Sequence, residues 1–499
     1  MTRRPWSNRI VCCATAFALA LSLVALGSPA PVQAASSITT PRSQHGSAPR
    51  SKKGAPPANS ALSGSEQKLV ETVDKTVPAA LALLEKAVNV NSGTMNFEGV
   101  REVSKMFEVE LQGMGFTTQW VDGAAWNRAG DLIAHRAPAV AEPAPRRPGI
   151  RDLHGTATDT SAIPHVLLIG HLDTVFEKDS PFQRYEKLTD STARGPGVCD
   201  MKGGDVVMLT ALQALKQAGV LDRMNVSVYL GGDEERAGEP IEAARRELKR
   251  LAETADVAIG FEDGSGDPRT ALIARRGATS WTLTTTGTSY HSSQIFRDDV
   301  GAGAVFEASR ILTVFRDSLQ GRTYLTFSPG LIVGGTAVTY DSTGARGTAF
   351  GKDNVIADTA VVHGDLRTIS VEQREAAKRT MRAIAAANLP RTTATLEFDD
   401  GYPPLTPTDG NRKLLAMYDK ASRDLGTGPV EAVDPMRAGA ADVAFAAFHV
   451  GMALDGVGLM GEGAHSPGET ALLPTLASQS KRMAIMLSRL ANEWGKAKK

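Results

Sequence analysis

The stretch HVLLIGHLDT, residues 165–174, decides how the chain is read. Residues 165–170 are a continuous apolar run closed by Gly170, the pattern of a parallel strand buried on both faces. His171 and Asp173 follow at once, and period-two alternation points both to one face. Two later runs have the same form. NVSVYLGG at 225–232 leads into Asp233, Glu234 and Glu235, and DVAIGF at 256–261 leads into Glu262. A helical segment at 205–218, closed by Gly219, lies between the first two runs, and helical periodicity marks 65–88 through Leu69, Val73, Leu81 and Leu84. Alternating strand and helix predict an α/β architecture with a mostly parallel sheet. Polar motifs just past strand ends stand where ligands gather in such sheets.

The character changes near 277. Residues 278–286 (ATSWTLTTT) alternate and are β-branched, as in an antiparallel strand with one wet face. A helix is expected at about 302–319, strand-like runs at 330–339 and 354–368, and a helix at 371–388 that stops before Pro390. This is an α+β insert over 277–398. The α/β pattern then resumes, with helices near 411–424 and 475–494. The catalytic domain is therefore expected to be discontinuous, 63–276 and 399–499, around an inserted lid. Residues 137–163, rich in proline, read as a surface loop, and no internal repeat is present.

The N-terminus stands apart. Arg3, Arg4 and Arg9 precede an apolar segment at 10–27, and Val32-Gln33-Ala34 offers small residues for cleavage between Ala34 and Ala35. Residues 1–34 read as a secretory signal peptide, placing the mature chain in a periplasm or outside the cell. An uncleaved anchor is the rival reading, since 18 apolar residues are near the lower limit for spanning. Residues 35–62, rich in Ser, Pro, Ala and Gly, read as a disordered spacer. The leader carries +3 and the spacer +4, so in a chain of zero net charge the remainder carries −7. An acidic body is a poor partner for nucleic acid, and after leader removal no membrane association is expected. Cys12 and Cys13 leave with the leader; Cys199 alone remains, which excludes an internal disulfide.

Five side chains are candidate metal ligands: His171 in HLDT, Asp200 in GVCDMKGG (197–204), Glu235 in GGDEE (231–235), Glu262 in FEDG (261–264) and His465 in GAHSPGE (463–469). Each alone is ambiguous. Asp200 also suits a helix N-cap, and Glu234-Glu235 also suits a solvated acidic turn. Together they bring three negative charges, which two dications and one hydroxide would balance. Two such cations can generate hydroxide near neutral pH and clamp a tetrahedral intermediate. Nitrogen and oxygen donors without thiolate suit zinc, and equally cobalt or manganese. Cys199, beside Asp200, reads as a packing residue. Asp173 could accept the second N–H of the His171 imidazole. Of the adjacent glutamates, one serves as ligand and the other as general base. Six further histidines (His45, His135, His154, His165, His363 and His449) lack such a context.

In these motifs, from about 65 to 495, the chain resembles the co-catalytic zinc metallopeptidases. That family includes glutamate carboxypeptidases, aminoacylases, acetylornithine deacetylase and succinyl-diaminopimelate desuccinylase. The resemblance implies that His171 with Glu262 and Glu235 with His465 divide between two zinc ions, with Asp200 bridging. It implies that Asp173 orients His171, that Glu234 is general base and then proton donor, and that the Asp200–Met201 peptide is cis. It also implies that the insert is a lid that dimerises. GTSYHSS then places His291 at an active site, the partner subunit's, as an oxyanion stabiliser. NVIADTAVVHGDLR places Asn354 and Arg367 on a substrate carboxylate, where an arginine fork suits bidentate binding. For Arg367 a lid-surface ion pair is the alternative, and for His291 a plain surface histidine. One departure concerns EFDDGYPPL (397–405): glutamate carboxypeptidases carry a further arginine there in a basic segment, whereas this chain is acidic, with Tyr402 near the place. The wording of the motifs is closest to that branch. The expected activity is release of a C-terminal amino acid from short peptides or N-acyl amino acids. An N-acyl amino acid deacylase and a metal-dependent aminopeptidase or dipeptidase are the alternatives.

Overall fold

The computed structural model describes residues 62–138, 163–341 and 346–494. The expected leader, the spacer up to 61 and most of the proline-rich loop lie outside the described residues. Among the described residues no helix is long and apolar enough to cross a membrane.

A six-stranded sheet organises the catalytic part. Its order is Thr117–Asp122, Gly130–Arg136, Asn225–Gly231, His165–His171, Val257–Gly260 and Met452–Leu454. The first two junctions are antiparallel and the other three parallel. Alternate residues of the parallel strands enter two separate cores. Val166, Leu168, Val228 and Ile259 pack beneath helices Gly64–Val88, Lys202–Gln217 and Pro474–Glu493. Leu167, Ile169, Tyr229 and Ala258 face Leu248, Leu251 and Phe445 on the other side. Burial on both faces is why these strands read as unbroken apolar runs.

Register sets the site. His171 pairs with Gly231, and Ile169 with Gly260. The HLDT, GGDEE and FEDG motifs therefore leave three adjacent parallel strands at the same edge. The helix after Asp200 begins at Lys202 rather than the expected 205. Gly203 and Gly204 lie in its first turn, where weak intrinsic propensity hides the start.

Residues 277–400 build a second sheet, all antiparallel, in the order Thr326–Gly335, Thr359–Thr368, Gly277–Thr286 and Thr393–Asp400. Its last strand ends two residues past the expected boundary at 398. Helices Ala304–Leu319 and Val371–Ala386 cover one face, packing Phe315 and Met381 over Trp281, Leu283 and Val362. The expected strand at 330–339 is two strands. The first ends at Gly335, and Ala337–Asp341 turns away to pair with Arg346–Phe350. Apolar alternation runs through the break, so periodicity does not register it. Asn354 precedes its expected strand, which starts at Thr359. The chain crosses between the two sheets twice, and the crossings pair with each other. Arg275 and Leu405 exchange N–H···O bonds of 3.0 Å, and the Ala278 N–H donates to the Tyr402 carbonyl at 2.8 Å.

Candidate active site

Asp200 is the centre of the five-residue cluster. Its Oδ1 lies 3.1 Å from His171 Nε2 and its Oδ2 lies 3.0 Å from His465 Nε2. His465 Nε2 is also 3.0 Å from Glu235 Oε2, and His171 Nε2 is 3.8 Å from Glu262 Oε1. The carboxylate of Asp200 thus faces two donor groups, His171 with Glu262 and His465 with Glu235. Atoms of His171, Asp200 and Glu235 all fall within 4.8 Å of one another. His465 holds a left-handed backbone (φ 62°), rare for a non-glycine residue, which turns its ring back to the carboxylates.

Asp200 does not cap a helix; Met201 occupies the N-cap position, without a side-chain cap. The peptide between them is cis. The glycines that follow are required by close packing. A Cβ on Gly204 would lie 1.9 Å from the Phe261 carbonyl oxygen, and one on Gly203 would lie 2.2 Å from that of Val198. Gly204 lets the helix seat against the end of the strand that delivers Glu262, and Gly203 lets it close on the Val198 carbonyl and Leu459. The Asp200 loop is held by the last residue of the GAHSPGE motif. Glu469, fully buried, accepts N–H bonds from Gly197 (3.1 Å), Cys199 (2.8 Å) and Asp200 (3.1 Å). Cys199 is buried and packs by its sulfur against Gly461, consistent with a packing role.

Asp173 ties the two glutamates to His171. Its carboxylate lies 3.3 Å, and its carbonyl oxygen 3.1 Å, from His171 Nδ1. The same carboxylate accepts the N–H groups of Glu234 (3.1 Å) and Glu235 (3.2 Å) and the Thr94 hydroxyl (2.6 Å). Glu234 and Glu235 are half-buried on this anchored bend, not on a solvated turn. Beneath it, buried Arg245 donates to Asp233 Oδ1 (2.6 Å), Asp442 Oδ1 (2.7 Å) and the Tyr402 hydroxyl (2.8 Å).

The electrostatics call for cations. Burial raises the Glu262 carboxyl well above its usual range, and the charge of Asp200 adds to this. Burial also raises Glu234 and Glu235. Burial opposes ionisation of Asp200 too, yet hydrogen bonds from both histidines hold its carboxyl below the usual range. In the chain alone, the bonds to Asp200 and Glu235 raise His465 to about 11. Burial alone would lower His171, but its bonds to Asp173 and Asp200 raise it well above the ordinary value. The raised groups are those that a divalent cation would hold in the ligating form, and the oxygen and nitrogen donors suit such cations. Metal uptake is expected to expel roughly one to two protons per chain at pH 8. Affinity should therefore rise with pH, because the raised histidine pKa values keep the protonated, non-ligating form dominant below them. Calorimetric titration of metal-stripped protein in buffers of different ionisation enthalpy measures this release.

The remaining expected residues lie on the inserted part. His291 is exposed and bonds Ser293 Oγ (2.8 Å) through Nδ1. Asn354 is its neighbour: the Asn354 carbonyl accepts the Ser292 N–H at 2.9 Å, and His291 bridges Val355. Arg367 is paired with Asp365 (2.8 Å), so within one chain it makes the lid-surface ion pair. Among the described residues, none of the three makes a hydrogen bond or ion pair to the five-residue cluster.

Two groups of donors around a shared carboxylate, three of them supplied at or just past the carboxyl ends of adjacent parallel strands, have the arrangement of a metal-dependent hydrolase. Residues 167–489 match the model of peptidase family M20/M25/M40, and the chain belongs to that family of metallopeptidases. Over 394 residues, 78% of this chain and 83% of the relative, it is 26% identical to carboxypeptidase G2 of Pseudomonas sp. (strain RS-16). A shorter match, 36% identical over 77 residues, covers 14% of this chain and 20% of a succinyl-diaminopimelate desuccinylase from Gluconacetobacter diazotrophicus. Among solved structures, aminopeptidase PepT from Bacillus cereus superposes with a TM-score of 0.62 at 17% identity, covering 85% of this chain and 99% of that one. The YXEP protein of Bacillus subtilis, described as a dinuclear metal-binding peptidase of the M20 family, gives 0.55 at 17% identity, covering 84% and 99%. At such identities the two superpositions speak to the fold alone.

Proposed function

We propose that this metallopeptidase is a secreted two-metal carboxypeptidase that releases a C-terminal amino acid from short peptides or N-acyl amino acids. The observation that carries the two-metal part is Asp200, whose two oxygens face His171 with Glu262 on one side and His465 with Glu235 on the other. The long similarity to carboxypeptidase G2 favours the C-terminal direction. Secretion rests on the leader read at 1–34, and zinc on the oxygen and nitrogen donors.

His171 with Glu262 and His465 with Glu235, together with Asp200, would hold the cations, which would supply Lewis acidity for the scissile carbonyl and lower the pKa of water. Glu234 takes the proton from that water and returns it to the leaving amine. Asp173 holds Glu234 and Glu235 in place by their N–H groups and fixes the His171 ring. Asn354 and Arg367 receive the substrate carboxylate, Arg367 exchanging Asp365 for it. His291 stabilises the developing oxyanion, across a lid-mediated dimer.

An aminopeptidase reading has one observation in its favour, since Arg367 already has an anionic partner in Asp365. Dipeptides blocked at the N-terminus, or amidated at the C-terminus, separate the two. Blocking should leave turnover intact and amidation should abolish it; the reverse pattern sinks the carboxypeptidase reading. Arg367→Ala should raise KM by roughly 10- to 100-fold, the size of one charge-assisted hydrogen bond, with a smaller effect on kcat.

A further inference from the structure

We infer that Tyr402 is a positioning residue for Glu234, and that it links the base to the paired chain crossings beneath the inserted sheet. This rests on the assignment of Glu234 as general base. The Tyr402 hydroxyl donates to the Glu234 carbonyl oxygen at 2.9 Å, and among the described residues no other hydrogen bond to that oxygen is recorded. The Glu234 N–H is already held by Asp173 at 3.1 Å. Both sides of the residue are therefore pinned, and only its side-chain torsions stay free.

The hydroxyl is itself aimed. It accepts Arg245 Nη2 at 2.8 Å, and the ring packs edge-on against Phe445 with centroids 5.1 Å apart. Arg245 is fully buried, and its bonds to Asp233 and Asp442 fix the guanidinium whether or not the hydroxyl is present. At its other end Tyr402 belongs to a crossing. Its carbonyl accepts the Ala278 N–H, and the neighbouring Gly401 N–H donates to the Ala278 carbonyl at 3.1 Å. A Cβ on Gly277 would lie 2.9 Å from the Tyr402 carbonyl oxygen, so the crossings are in close contact. One side chain thus spans from the junction with the inserted sheet to the backbone of the base. A base must sit within hydrogen-bond reach of its water, and small misplacement of such a group is costly in rate.

The test is a double-mutant cycle on metal-loaded enzyme, with the best N-blocked dipeptide as substrate and kcat normalised to folded, metal-bound protein. Tyr402→Phe is expected to lower kcat about tenfold, the worth of one hydrogen bond in a barrier, with KM within about twofold and metal content unchanged. In a Glu234→Gln background the same substitution should change residual kcat by less than about twofold, because the group it positions is gone. An equal fall in both backgrounds, or an unchanged kcat in Tyr402→Phe, overturns the inference. If Glu234→Gln alone keeps the parent kcat, the base assignment itself has failed, and the two failures are told apart.

Discussion

Glu234→Gln is expected to lower kcat by roughly a thousandfold, within the range of general acid–base catalysis, while both metals stay bound. The amide keeps the size and the anchored backbone of the carboxylate, so the Asp173 bonds to residues 234 and 235 survive. It cannot take a proton from water. Glu234 is not among the five donors grouped around Asp200, and this is why activity and metal content should part company. Metal analysis beside turnover on an N-blocked dipeptide measures both. A variant that loses metal in proportion to activity would make Glu234 a ligand and end its assignment as base.

Asp200→Asn should do the opposite and remove activity through the metal site. Among the described residues this carboxylate alone lies within ion-pair distance of both histidines, at 3.1 and 3.0 Å. An amide presents one weaker acceptor and one donor, so one side of the cluster meets an N–H where a cation belongs. Bound metal should fall from two per chain to one or none, with turnover below detection. Thermal melting gives an independent readout. A metal that binds only the native state stabilises it by RT ln(1 + [M]/Kd), so the parent's melting temperature should rise on metal addition and the variant's should rise far less. An Asp200→Asn protein that retains two metals per chain would refute the bridging assignment.

Much of this was legible in the residues. The three apolar runs announce parallel strands because burial on both faces leaves no room for alternation, and the motifs after them sit where strands end. The register that makes those ends neighbours, His171 beside Gly231 and Ile169 beside Gly260, is not written in any one segment. The Arg367–Asp365 pair was readable, since residues two apart share a face of a strand. Glu469 was not: a single carboxylate after a glycine has no signature, and its partners lie about 270 residues earlier. The Arg245, Asp233, Asp442 and Tyr402 network was equally hidden, because four charged or polar residues from three distant segments meet only after folding. Tyr402 attracted notice as a departure from a basic segment. Its hydroxyl turns toward the base loop instead.

The bonds from Glu469 to the loop of Gly197, Cys199 and Asp200 have a consequence for how the protein is made. Four of the five donors precede residue 263, yet the loop that aims the central carboxylate is fastened by a side chain about 270 residues further along the chain. A contact of such sequence separation closes a long loop, whose entropy must be met before the contact contributes stability. A nascent or truncated chain lacks both His465 and the clasp, and so has no complete centre.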